Sequence, residues 1–171
     1  MNTRFIFYHE KLTSSVLFFL FICLFYGRLS GQNSYIQRIN GGWARSVIAV
    51  SGSDTAVWVG SKSTNNEIRI VKTYKDSLVD WSTSIGGGTS SSDRANDVVE
   101  TADGYVMVGN TASFGAGGTD IIVTKVNFSG VHQWTRAIGT SSTDYGNAIV
   151  KTSDGNIAIC GKVGSSTVDI A

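Results

Sequence analysis

The chain has 171 residues, with 14 Lys and Arg against 13 Asp and Glu, 20 Gly and no Pro. That length holds one modest domain at most, and the near-balanced charge argues against a nucleic-acid surface, which needs clustered Lys and Arg. With 42% hydrophobic residues including four Trp, and only 16% charged, the composition excludes a disordered chain and fits short strands and tight turns rather than a helical bundle.

Residues 1–31 read as an address and not as part of the fold. Arg4 and Lys11 precede the apolar run Val16–Tyr26, and Gly27-Arg-Leu-Ser-Gly31 follows with small residues. This is the order of a secretory signal peptide, and the run is shorter than the roughly 20 residues that cross a bilayer. Cleavage is expected after Gly31. An uncleaved membrane anchor is the plainer alternative. A lipidated Cys23 is disfavoured by Ile22, which stands where a small residue is required. Beyond residue 31 there is one His, His132, and one Cys, Cys160, so no internal disulfide can form.

From residue 32 onward the same phrases return. Tyr35-Ile-Gln-Arg-Ile39 with Gly41-Gly42 matches Trp81-Ser-Thr-Ser-Ile-Gly86 and Trp134-Thr-Arg-Ala-Ile-Gly139. Ala44–Asp54 is a weaker copy of Ala95–Gly104 and Gly146–Gly155. Each is followed by a β-rich piece closing on Gly: Ala56–Gly60, Tyr105–Gly109 and Ile157–Gly161. Ile68–Lys72, Ile121–Lys125 and Thr167–Ala171 come next in turn. Copy two is the fullest and predicts four strands: a over Ala95–Thr101, b over Tyr105–Gly109, c over Asp120–Asn127 and d over Val131–Ile138. Asp103-Gly104 is the a–b hairpin signal, and Asn127-Phe-Ser-Gly130 is the c–d turn.

Four strands in a period of roughly 50 residues is the pattern of a β-propeller blade, which buries its faces against neighbouring blades. Helical repeats are opposed by the β-branched b and c runs bounded by Gly. Parallel β-helices have shorter coils, and an isolated sandwich would not repeat its Trp phrase at fixed spacing. The expected fold is all-β, a partial β-propeller of four-stranded antiparallel blades, about two and a half of them, as an open arc or fragment.

Asp103-Gly104 with Val108-Gly109, Asp120-Ile-Ile-Val-Thr-Lys125, Gly130 with Trp134, and the Ile138-Gly139…Asp144 stretch resemble the extracellular bacterial β-propeller repeats of the D-G-G type, which are similar to delta-60 repeats and common in secreted Bacteroidota proteins. The resemblance covers about residues 35–171, implies an exported propeller, and is nearly silent about ligand. Copy one departs from it with Asp54-Thr55, and copy three inserts a residue at Asp154-Gly155-Asn156. The repeats open on a lone d-type strand and stop within strand c. A closed ring has typically four to eight blades, so the expectation is a piece of a longer protein, or closure by several copies of the chain.

Alternating strands place the long d–a and b–c loops at one end, the end where a rigid scaffold usually carries its binding residues. The candidate ligand contacts are Thr89, Ser92, Asp93, Asn110, Asp144 and Tyr145. The alternative for Asp93 and Asp144 is that they fix the turns by side-chain to backbone bonds. No metal and no cofactor is expected: the D-x-[DN]-x-[DN]-G spacing of calcium loops is missing, and one His with one Cys cannot build a zinc site. His132 lies on an outer strand, away from the long loops, which argues against a Ser–His–Asp triad. Cys160 aligns with Val59 and Val108 and is expected to be a small buried residue. Trp81 and Trp134 are expected to be structural anchors between blades, with sugar stacking as the alternative. The expected function is a non-enzymatic, secreted or cell-surface scaffold that binds protein or glycan. The runner-up is the propeller part of a larger extracellular enzyme whose catalytic residues lie elsewhere. Neither reading involves nucleic acid or, beyond the signal peptide, a membrane.

Overall fold

The structure is a computed structural model and describes residues 41–74, 78–87, 92–164 and 166–170. Residues 1–31, expected to be a signal peptide, residues 35–39, expected to be a d-type strand, and Thr89 lie outside the described residues. Within them the chain is all β: β1 (Gly42–Ala49), β2 (Ala56–Lys62), β3 (Ile68–Thr73), β4 (Val79–Ile85), β5 (Arg94–Thr101), β6 (Gly104–Thr111), β7 (Asp120–Val126), β8 (His132–Ile138), β9 (Tyr145–Lys151), β10 (Ile157–Val163) and β11 (Ser166–Ile170). They form three antiparallel sheets, β1-β2-β3-β4, β5-β6-β7-β8 and β9-β10-β11. Each sheet is a meander in chain order, because tight turns can join only antiparallel neighbours. All four strands expected for copy two are present, to within two residues at each end.

The turns form for the reasons their residues suggest. Ala102 and Asp103 link β5 to β6, and Thr101 Oγ donates to Asp103 Oδ1 at 3.1 Å. Between β7 and β8, Asn127 Oδ1 accepts the backbone N–H groups of Ser129 and Val131 at 3.0 and 2.9 Å. Gly130 completes that turn at φ 78°, a conformation that costs a side-chain-bearing residue more than it costs Gly.

The middle sheet is covered on both faces, and strict alternation decides which residue faces which neighbour. Tyr105 and Met107 of β6 and Ile122 and Val126 of β7 pack with Val57, Val59, Ile68 and Ile70 of the first sheet. The residues between them, Val106, Val108, Ile121 and Val123, pack with Ile149 of the third sheet and the partly buried Ile157 and Ile159. Every residue of β6 is therefore buried. Fully burying one such side chain contributes about 1.5–3 kcal/mol, so the stability of the middle sheet rests on its neighbours.

Two expectations need correction. Gly60, Gly109 and Gly161 do not close their strands: β2, β6 and β10 run two residues past them. Cys160 is exposed. It shares its register position with Val59 and Val108, but among the described residues no sheet packs on its side of the third sheet, where Val150 is 57% exposed.

Candidate binding face

The inner edge of the stack is formed by β1, β5 and β9, and each strand carries the same irregularity. Pairing with the following strand skips one residue between Ala44 and Ser46, between Ala95 and Asp97, and between Gly146 and Ala148. The bulged residues are Arg45, Asn96 and Asn147. A bulge twists its strand and re-aims a side chain. Across from the three bulges stand Gly60, Gly109 and Gly161. A Cβ on any of them would overlap the backbone carbonyl of Trp43, Arg94 or Tyr145 respectively. The glycine that recurs in every copy thus permits the close backbone approach that the bulge requires.

Just before these strands lie Asp93 and Asp144, both fully buried. Asp93 Oδ1 accepts from Thr111 Oγ at 2.6 Å and Ala112 N at 3.1 Å. Its Oδ2 accepts from Ser113 Oγ at 2.6 Å and Gly87 N at 3.3 Å, while its own N–H donates to Asn66 O at 2.7 Å. One residue thereby ties the d–a loop to the b–c loops of two consecutive sheets. Asp144 repeats the knot: its N–H donates to Thr119 O at 2.6 Å, and its carboxylate accepts from Thr140 N at 2.7 Å and Gly164 N at 2.5 Å. Copy one has Gly42 at this position, and there the backbone carbonyl of Gly41 accepts from Ser63 N at 2.9 Å.

Burial pushes the Asp93 carboxyl up, but the bonds from Ser113, Thr111, Gly87 and Ala112 outweigh it and hold the group below the usual carboxylate value. At Asp144 the bond from Thr140 N leads, and the net shift is also downward. Both aspartates are charged at neutral pH, and their oxygens are engaged inside the protein.

Asn110, 2% exposed, joins the second sheet to the third. Its Oδ1 accepts from Asn96 Nδ2 at 3.2 Å and from Gly146 N at 3.1 Å, and Asn96 Nδ2 also donates to Gly146 O at 2.7 Å. Asp97 spans all three inner strands, accepting from Ser46 Oγ at 2.7 Å and Ile149 N at 3.0 Å. Among the six candidate contacts, then, Asp93, Asn110 and Asp144 shape the face from beneath, because burial and internal bonds remove them from solvent. Ser92 is exposed and Tyr145 half-buried, and these two reach the surface.

Two adjoining cavities, of about 340 and 570 Å³, open at this end and share Trp43, Arg45 and Arg94. Ser92 and Asp93 both line the smaller one. The larger takes most of its lining from two register positions on three strands, Trp43, Arg94 and Tyr145 at the strand starts and Arg45, Asn96 and Asn147 at the bulges, with Ala44 and Asn110 completing it. Of these eight, Tyr145 and Asn110 are sequence-derived candidates. The signal for the others was the recurring Gly, but a bulge is a property of strand pairing and leaves no mark on a single strand.

Elsewhere, Trp81 behaves as an anchor. Its Nε1 donates to Phe128 O at 3.0 Å, and its ring lies 6.1 Å from that of the buried Tyr105. Among the described residues no three His, Cys, Asp or Glu side chains come together as a metal site would require. No family model and no curated protein matches the chain. The class available from the fold is therefore a stack of repeated antiparallel sheets whose long loops are knotted together at one end.

Proposed function

We propose that this chain is a run of exported β-propeller repeats that works as a non-enzymatic scaffold and binds protein or glycan on the face made by the d–a and b–c loops. The observation that carries the reading is the repeated aspartate knot. Asp93 and Asp144 fasten the loops of consecutive sheets into one continuous surface, and pre-organised loops bind without paying again for their ordering. The face-to-face stacking of the sheets supports a propeller-like array. Export is supported by the charged, apolar and small-residue order of residues 1–31.

The test is an array of extracellular glycans and proteins probed with the full chain. Binding should fall with Tyr145→Ala or Ser92→Arg at the loop end and be unchanged by Ser153→Arg at the hairpin end. Binding that responds only to Ser153→Arg, or turnover of a captured ligand, overturns the reading.

A further inference from the structure

We propose that the larger loop-end cavity is a subsite for a carboxylate-bearing saccharide, a uronic acid or a short acidic oligosaccharide, held by Arg45 and Arg94 and stacked on Trp43. The inference rests on the scaffold reading and names its ligand class.

Charge is the first argument. Two guanidinium groups line the cavity, and among the described residues no carboxylate does. Among the described residues neither guanidinium makes a hydrogen bond or ion pair, and the buried Nε of Arg94 has no hydrogen-bond partner there. A buried donor left without an acceptor costs free energy, and a ligand anion would supply that acceptor. Asp93, which lines the adjoining cavity, does not, because its oxygens are taken by loop donors. Burial first, and then the charge of Arg94, lower the Arg45 pKa, so the two cations that line the cavity repel each other. A carboxylate between them relieves that repulsion and matches the planar fork of a guanidinium.

The remaining groups separate a sugar acid from other anions. Trp43 is 46% exposed and presents a flat apolar ring with an N–H at its edge. Tyr145 adds a hydroxyl, and Asn147 an amide with both donor and acceptor atoms. None of these three side chains has a hydrogen-bond partner among the described residues. A simple anion or an acidic peptide uses the donors only. A saccharide uses the ring for its C–H face, the donors for its carboxylate, and the mixed amide and hydroxyl groups for its own hydroxyls. The volume, about 570 Å³, lies within the usual range for small-ligand sites. The placement follows from the fold: three bulges aim three side chains at one point, and two of the residues that precede them supply the aromatic rings.

The experiment is calorimetric titration of the full chain with a trimer of galacturonic acid, with its fully methyl-esterified form, and with tetraglutamate. Saturable binding of the free acid, weakened about tenfold or more by esterification and by Arg94→Gln or Arg45→Gln, supports the proposal, as does a similar loss with Trp43→Ala. Arg45 is exposed, so Arg45→Gln tests the site without touching the core. Circular dichroism and an unchanged unfolding midpoint confirm that each variant is folded. The proposal is overturned if the acid shows no saturable binding up to about 10 mM, if the ester binds equally well, or if tetraglutamate binds as tightly and ignores Trp43→Ala. A ligand captured on the array that depends on Tyr145 but not on either arginine sinks the acidic-saccharide assignment and leaves the scaffold standing. Loss of loop-end dependence for every ligand sinks both.

Discussion

Trp81 and Trp134 occupy the same place in the same repeated phrase, yet they live in different surroundings. Trp81 lies against the second sheet. Its indole N–H donates to Phe128 O, Thr83 Oγ beside it donates to Gly130 O at 2.6 Å, and its ring touches a core in which Tyr105 is fully buried. Trp134 is 37% exposed, with Arg136 stacked 5.7 Å from its ring centroid. The contrast runs across the whole stack: Val59 and Val108 are buried, whereas Cys160, at the same register position of the third sheet, is exposed. A repeat unit brings surfaces, and the neighbouring unit decides whether they become core.

The largest effect expected from breaking this symmetry is at the glycines. Gly109→Ala drives a methyl into the Arg94 carbonyl and should cost about 3 kcal/mol in urea unfolding. It should also distort the cavity, because the bulge carries Asn96. A neutral result would mean that the bulge relaxes freely.

The tryptophan pair comes next. Trp81→Ala should cost about 2 kcal/mol and Trp134→Ala well under about 1 kcal/mol, both read from the same denaturation curves. Equal costs would remove the distinction drawn between the two sheets.

Asp93→Asn should be destabilising by about 1–2 kcal/mol, because an amide cannot accept from four donors as a carboxylate does. The pH dependence follows the same sign. The folded carboxyl titrates below its unfolded value, so the unfolded chain binds more protons in acid. The stabilisation is complete above the ordinary carboxylate pKa of about 4 and is lost as the pH falls through the folded value. Asp93→Asn should flatten this acid limb of the stability curve. A wild-type stability independent of pH between about 5 and 2 would contradict the knot.

The smallest effect on stability, though a clear chemical one, is at the exposed face. Native Cys160 should react with a maleimide without delay, as read by peptide mapping. A cysteine placed by Val108→Cys should react only on unfolding. Equal protection of the two would show that the third sheet is covered.

Much of this fold is legible in the residues. β-Branched runs, the Asp103-Gly104 and Asn127–Gly130 turns, and phrases returning after about fifty residues are local statements about strands and hairpins. The turn-fixing alternative for Asp93 and Asp144 is the geometry found, because Asp before a strand readily accepts from nearby backbone N–H groups. The cavity was less legible. Arg45 reads as one more surface cation, and nothing within its own strand signals that it stands across from Gly60 at a skipped pair.

The amino-acid order by itself determined the strands, the turns, their order and the number of copies, because these depend on side-chain alternation and backbone freedom over a few residues. The tertiary structure alone decided which equivalent residues are buried, and which three strand starts converge. Burial and convergence arise between sheets, from side chains some fifty positions apart that meet only when one repeat is laid against the next.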